Sequence, residues 1–360
     1  ITLLSPVFDL DFGQEAMASA MLGVGKQLGI PKPRCLPALL SGAKAVRRHT
    51  AAVEKQGQEL LASLRPDDKV LVLITRNYGL SDPVLNMGIP RLLLERGHKV
   101  ITLSHLPAHD LDLSEDYPNL YWPFGQHILS GAKLVAHHPN LYAVYLTNHG
   151  CGPDTMLSYL FRKEMGDKPY LQIEVDEHFS PVGVITRIEA FLQSLEGRPA
   201  QPLPAGFSLT SVVHRPTAVA AVPERTGGPL LVPDLPPFTA YLRAYCEAAG
   251  ETETRTLRLD STTLPLGRAE TSSKEYLPFP ALLGGVLTAA EAESGPFQVL
   301  LPSTQGAEAD GQYPWGVETV LERQGLCRVK VIAPELETLP ERCPEPDLLF
   351  RAFLVGDLLL

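Results

Sequence analysis

Apolar positions recur at helical spacing in two N-terminal stretches, and farther on short continuous apolar runs take over. Gln14–Leu28 sets Ala16, Met17, Ala20, Met21, Val24 and Leu28 on one helical face. Leu36–Leu64 extends a second helical pattern, with no proline after Pro37 and good helix formers throughout. Together they predict a helical pair, separated by a linker at Ile30–Arg34 where Pro31 and Pro33 break the pattern. Ile1–Phe8, ahead of them, reads as a short apolar strand. From Lys69 the pattern changes. Lys69–Ile74 (KVLVLI), Lys99–Leu103, Leu141–Thr147 and Tyr170–Val175 are short runs rich in β-formers, as expected for strands buried in a parallel sheet. Helical patterns at Ile89–Arg96, Pro123–His137, Asp154–Met165 and Val182–Leu195 alternate with them, and Gly97 stops the first. This alternation over Lys69–Leu195 predicts one doubly wound α/β domain. Its first connection, Thr75–Met87, is long and polar, and Pro107–Trp122 is a proline- and acid-containing excursion.

Gly197–Pro237 holds nine prolines and reads as an extended linker. Beyond it the alternation resumes. Phe238–Ala249 reads as a helix, Thr254–Leu259 as a strand, and Lys274–Glu293 as a helix interrupted at Gly284-Gly285. Phe297–Leu301 and Arg328–Ile332 are further strands around a helix at Gly316–Gln324. The expected organisation is a strand and helical pair at 1–66, an α/β domain at 67–196, the linker at 197–237, and a second α/β domain at 238–360. That is an α/β chain of two Rossmann-like, doubly wound domains preceded by a helical segment. Ile1 begins inside an apolar run, and the chain ends on Leu-Leu-Leu within a helical pattern, Asp347–Leu360. Both ends suggest a piece of a longer polypeptide, with the second domain truncated.

Charge and cysteine usage narrow the classes. A net charge of −10 over 360 residues argues against nucleic acid or an anionic membrane as the main partner. No apolar run reaches membrane-spanning length, and no secretory signal is visible. Five scattered cysteines with no C-x-x-C pair form neither a disulfide framework nor a zinc site, so a reducing, cytoplasmic setting is expected.

The chemistry concentrates in the turn Asn148-His149-Gly150-Cys151-Gly152-Pro153-Asp154, between a strand and a helix. Gly150 and Gly152 allow close approach to whatever Cys151 binds, and Pro153 suits the first helical turn. A thiol at a helix N-terminus faces free N–H groups and the positive end of the dipole, which favours a thiolate; a buried, inert cysteine has equal weight. Asp176, Glu177 and His178 end the next strand, where a proton relay competes with solvated strand-end polar groups. His149 is either a metal or thiol partner or a satisfied loop histidine. Arg76, Asn77 and Asn86 sit on the first strand-to-helix loop, where phosphate or CoA contact competes with loop capping. Ser272, Ser273 and Lys274 precede a helix, where capping competes with anion binding. His137-His138, at a helix end, reads as dipole stabilisation. Cys35 has no partner at ligand spacing and reads as structural. No strand–GxGxxG–helix is present and nothing suggests a hydrolytic triad.

Four stretches together resemble one family: RNYGLSDPVLNMGIPRLLLERGHKVI (Arg76–Ile101), NHGCGPD (Asn148–Asp154), IEVDEH with TRIEAFL (Ile173–Leu192), and LGRAETSSKEYLPFPALLGG with LLPSTQGAEADGQY (Leu266–Gly285, Leu300–Tyr313). Their order and spacing are similar to the 2-hydroxyacyl-CoA dehydratase component and activase-related family, whose modules stand alone or form the C-terminal part of large activase-like proteins of anaerobes. The resemblance implies Rossmann-like domains meeting at a cleft. There, cysteines hold a [4Fe–4S] cluster that takes an electron from an ATP-dependent activator and passes it to an acyl-CoA or another poor acceptor. Thiolates suit such a cluster because soft sulfur delocalises charge. This chain keeps Cys151 but has Tyr276 in the family's Lys-Glu-Cys-Leu-Pro and Glu308 in its Gly-Pro-Cys-Arg-x-Gly-Gln-Tyr. Cys246, Cys327 and Cys343 match no ligand position. The expectation is a degenerate cluster site, in a structural or regulatory module paired with a cluster-bearing homologue or the remainder of a longer polypeptide. The alternatives are a working electron-transfer or dehydratase component whose cluster another chain or region completes, and an unrelated Rossmann-type small-molecule binder. A cleft lined by the Cys151, Tyr276 and Glu308 loops is the common expectation.

Overall fold

Five consecutive aliphatic residues, Val70–Ile74, form β1, and all five are buried. In the computed structural model, which describes residues 3–7, 13–148, 150–175, 180–198, 228–236, 239–240, 242–243, 253–272, 274–301, 303–304, 306–334 and 351, β1 is central to the first sheet. β2 (Lys99–Thr102), β3 (Leu141–Asn148) and β4 (Leu171–Val175) complete it in the order β2-β1-β3-β4, all parallel. Parallel strands are covered on both faces, which is why β1 and β3 are apolar without alternation. On one face Leu71, Leu73, Val144 and Ile173 pack with Ile89 and Leu93 of α4 (Ile89–Glu95) and with Val184, Ile188 and Phe191 of α7 (Pro181–Leu195). On the other, α5 (Pro123–His137) brings Gly131 against Leu103 and Ile74, and Phe161 of α6 (Gly152–Met165) stacks on Tyr145 with centroids 4.2 Å apart. Each of α4 to α7 starts with proline in its first turn, where the missing N–H costs no helical bond.

A second parallel sheet has the same plan. β5 (Leu230–Pro233), β6 (Thr254–Leu257), β7 (Phe297–Leu300) and β8 (Val329–Ile332) run in the order β6-β5-β7-β8. Its helices include α8 (Leu264–Glu270), α9 (Pro278–Ala292) and α10 (Tyr313–Arg323). The fold is therefore α/β, with two Rossmann-like sheets. Both belong to one compact unit, 65–103 with 107–360. The other unit, 1–64 with 104–106, contains α1 (Gly13–Gln27) and α2 (Lys32–Ala62), which pack on each other.

Several expectations are corrected. Residues 3–7 form no strand, and Leu3 and Val7 are exposed, because an apolar run becomes a strand only where a sheet edge offers partners. The proline-broken linker is shorter than Ile30–Arg34: α2 begins at Lys32, with Pro33 in its first turn and Pro37 tolerated inside. Within Thr75–Met87 lies a short helix, α3 (Asn77–Ser81). Leu230–Pro233 falls inside the proline-rich stretch yet is a strand with a neighbour on each side; Pro233 sits at its end, where a lost donor matters least. Gly284-Gly285 does not interrupt α9. A Cβ at Gly284 would strike the Thr263 carbonyl and one at Gly267 the Pro280 carbonyl, so the glycines bring α8 and α9 together instead of ending a helix. His138 is held neutral, its pKa lowered to about 4 by burial and then by Lys168, so it does not serve the helix dipole as a cation. The helical readings at Phe238–Ala249 and Asp347–Leu360 lie largely outside the described residues.

Candidate functional site

The order β2-β1-β3-β4 sends the chain in opposite directions after β1 and β3, which opens a crevice at the carboxyl ends of these neighbouring strands. Arg76 follows β1 and Cys151 follows β3, so the topology alone brings residues 75 positions apart to one place. Gly150 adopts a left-handed φ of 64°, and Cys151 takes the N-cap position of α6 with extended backbone. Its carbonyl accepts the Thr155 N–H at 3.0 Å, which starts the helix.

Arg76 is the hub of this crevice. Its Nη2 donates to Cys151 Sγ at 2.7 Å and to Asp154 Oδ1 at 2.7 Å, while Nε donates to the same oxygen at 3.0 Å. The Phe124 ring lies 4.3 Å from the guanidinium carbon, an aromatic face against the cation. The ion pair is dry, with 18% of the Arg76 and 4% of the Asp154 side chain exposed. Asp154 Oδ2 accepts the Asn148 N–H at 2.8 Å, and Asn148 Nδ2 donates to the Tyr78 hydroxyl at 2.8 Å. Asp154 thus links the end of β3, the loop after β1 and the first turn of α6, where a carboxylate also suits the helix dipole. Burial opposes the charge on Arg76, but the Asp154 hydrogen bonds and charge outweigh it, with smaller help from Cys151 and Tyr78, and the net pKa is raised.

The second sheet's loops reach the same crevice. The Tyr276 hydroxyl approaches the Gly150 carbonyl at 3.5 Å, a long contact rather than a strong bond. A Cβ at Gly152 would lie 3.0 Å from that hydroxyl, so the glycine gives Tyr276 its room. Lys274 pairs with Glu174 on β4. Glu275, 8% exposed, folds back on the backbone, accepting the Ser272 N–H at 3.1 Å, the Lys274 N–H at 3.1 Å and the Ser272 hydroxyl at 3.0 Å. That arrangement is a capping box without a helix directly behind it. Glu308 is the exposed cap of a single 3-10 turn, Ala309–Gln312. Tyr313, next along, has its pKa pushed up to about 12 by burial, then by Asp310, Tyr276 and Glu308, so Tyr276 and Glu308 are both within electrostatic reach of one phenol.

Of the residues singled out from sequence, Arg76, Gly150, Cys151, Gly152 and Tyr276 meet in the crevice, while Lys274 pairs with Glu174 on β4 and Glu308 lies within electrostatic reach of Tyr313. Asn86 is buried and caps its own loop through the Gly88 N–H at 3.1 Å, and Asn77 is the exposed first residue of α3. Glu177, His178, Asp176, His149, Ser273, Cys246 and Cys343 lie outside the described residues. Cys35 has a structural place, its sulfur against Gly25 and directed to the Ile30 carbonyl at 3.6 Å. Asp154 was the omission. Its only sequence signal is an acid in the first turn after Gly-Pro, which any helix can use.

As a donor set for a [4Fe–4S] cluster, the crevice offers one thiol sulfur engaged by a guanidinium, one phenol and one carboxylate. The two oxygens are hard ligands, a poor match for sulfide-bridged iron. Among the described residues no group of three or more His, Cys, Asp or Glu is placed to hold a metal ion. Among the described residues the crevice offers a single thiol toward such a cluster. No helix among the described residues is long and apolar enough to cross a membrane.

Comparison with known proteins gives one match. No curated protein and no solved structure matches the chain. Residues 1–106 match the model of a family described as a CoA enzyme activase uncharacterised domain, DUF2229. The matched stretch holds the helical pair, β1, the Arg76 loop and β2, and stops short of Cys151. Over those residues the chain is similar to that activase-related family.

Proposed function

We propose that this chain is a module of a 2-hydroxyacyl-CoA dehydratase or activase-like protein in which the cluster site is degenerate and the role is structural or regulatory within a larger assembly. One observation carries the reading: Cys151 Sγ accepts from Arg76, whose other bonds go to the buried carboxylate of Asp154. A cation fixed against the sulfur by a dry ion pair fills the space a cluster iron needs. Tyr276 and Glu308, at the other ligand positions, cannot replace thiolates. The crevice then serves to hold two α/β halves together, and the assembly's redox chemistry belongs to a cluster-bearing homologue or the remainder of a longer polypeptide, with an ATP-dependent activator as the electron source.

A second reading has one observation in its favour. Cys151 is only half-buried and Tyr276 is 42% exposed, so another chain has access to the crevice and can bring thiolates to it. The deciding measurement is iron and acid-labile sulfide, with a visible spectrum, on protein purified without oxygen, alone and after reconstitution. A folded, colourless, iron-free chain supports the degenerate module. About four irons per chain, lost on Cys151→Ser, would overturn it in favour of the completed cluster.

A further inference from the structure

The helical pair is built almost without a core. Within 13–62 the buried positions among the described residues are Gly25 and Gly57, both sites of close approach, to the Cys35 sulfur and the His105 carbonyl. Large apolar side chains meanwhile stand in solvent: Leu28 is 52% exposed, Leu36 45%, Leu40 64% and Val46 66%. From Leu36 to His49 every residue except Leu39 is exposed, so α2 is bare on all sides there. Isolated exposed leucines are ordinary, but Leu36 and Leu40 are one helical turn apart and form a stripe.

The charge of this stretch is opposite to that of the chain. Residues 13–53 carry Lys26, Lys32, Arg34, Lys44, Arg47 and Arg48 against the single carboxylate of Glu15, in a protein of net charge −10. None of the six cations forms an ion pair with another described residue; Lys55 pairs with Glu59 farther along α2. At the turn between the helices a groove of about 590 Å³ has Leu22 and Ile30 among its apolar lining, with Lys26 and Lys32 at its edges. The complement of such a surface is acidic with aliphatic side chains.

Residues 13–62 contain no Phe, Tyr or Trp. They therefore lack the rings on which nucleic-acid bases stack and those that anchor a helix at a membrane interface. Alanine, glycine and serine are frequent instead, and let another helix approach closely. A second copy of the pair would set like charges face to face. We propose that the helical pair is a docking arm for an acidic, amphipathic helical segment of another protein. Its carboxylates meet Lys26, Lys32, Lys44, Arg47 and Arg48, and its aliphatic side chains cover Leu36 and Leu40. The proposal is independent of what Cys151 binds.

The test uses the full chain and a synthetic helical peptide with leucine on one face and glutamate on the other. A lysine-for-glutamate version of the peptide, a short DNA duplex and vesicles of phosphatidylcholine with phosphatidylserine serve as competitors. The expected result is binding of the acidic peptide only, weakening as salt rises. Triple reversal K44E/R47E/R48E should weaken it by about tenfold or more, and L36S/L40S should weaken it without changing the salt slope. All substituted positions are exposed, and circular dichroism checks that both variants remain helical. Equal binding of the two peptides, indifference to both variants, or tighter binding of DNA or vesicles overturns the proposal. So does self-association of the chain that the same variants abolish.

Discussion

The two sheets share a strand order and differ in what stands at the strand ends. In the first, the loops after β1 and β3 are joined by a charged network: Arg76 from one strand meets Asp154 and Cys151 from the other. In the second, neutral hydroxyls bond within the loops behind β5 and β7, and the latter loop is also tied to the first half by Asn119 Nδ2, which donates to Ser303 Oγ at 3.3 Å. Thr239 Oγ1 donates to the Pro233 carbonyl at 2.8 Å behind β5, and Ser303 Oγ donates to the Gly311 carbonyl at 3.1 Å behind β7. The second sheet relies on close backbone approach, at Gly267 and Gly284, where the first relies on a dry ion pair. One topology thus gives a crevice twice, and side chains decide whether it becomes a site. A buried pair is an expensive device, because desolvation offsets most of its attraction. Among the described residues the first half holds two such pairs, Arg76–Asp154 and Lys133–Asp116, and the first of them lies at the crevice.

The sharpest way to break this contrast is Asp154→Ala. It strands Arg76 beside the Cys151 sulfur and removes the acceptor of the Asn148 N–H, so a loss of about 3 to 5 kcal/mol is expected in urea denaturation. A loss below about 1 kcal/mol would mean the pair adds nothing beyond a surface contact. In the second sheet Gly284→Ala is the counterpart. The new methyl meets the Thr263 carbonyl, and separating α8 from α9 should cost about 1 to 3 kcal/mol while leaving the Cys151 crevice unchanged to thiol-labelling reagents.

Protonation separates the halves next. In the second, Glu318 has its pKa raised to about 7, first by burial and then by Glu322. A carboxyl raised on folding favours the native state most below its ordinary value of 4.5, and that advantage is lost as pH climbs through 7. Glu318→Gln should therefore raise stability at pH 8 by on the order of 1 to 2 kcal/mol and flatten the decline between those values. In the first half, His127 is lowered to about 4 by burial and then by His109, and His138 is lowered to about 4 as well. Their contribution is full above 6.5 and is lost as pH falls through 4, the opposite slope. Amide exchange in α5 and α10 across this range should show the two trends; parallel trends in both helices would contradict it.

The smallest effect expected is that of Cys151→Ser. Arg76 keeps both bonds to Asp154, so stability should change by less than about 1 kcal/mol. A larger loss would give the sulfur a structural weight that this geometry does not assign to it.

Much of the fold was legible locally. Continuous apolar runs named most of the buried strands, prolines stood at the helix starts read at Pro123 and Pro153, and the glycines around Cys151 indicated a tight turn, which Gly150 bears out with its positive φ. Local reading failed where one residue type serves two purposes. Gly284-Gly285 looks like a break and is a contact; the prolines around Leu230–Pro233 look like a linker and flank a strand.

The sequence by itself determined the elements, their alternation, the parallel sheets that follow from it, and the position of the cysteine at a helix start. These depend on periodicity and on residues within a few positions of one another. Tertiary structure alone decided that Arg76 and Asp154, 78 residues apart, share a dry ion pair against the sulfur, that Tyr276 closes over Gly152, and that residues 36–49 of α2 are exposed apart from Leu39. Such pairings are set by which strands become neighbours, and a buried charge is tolerable only where the fold delivers its partner.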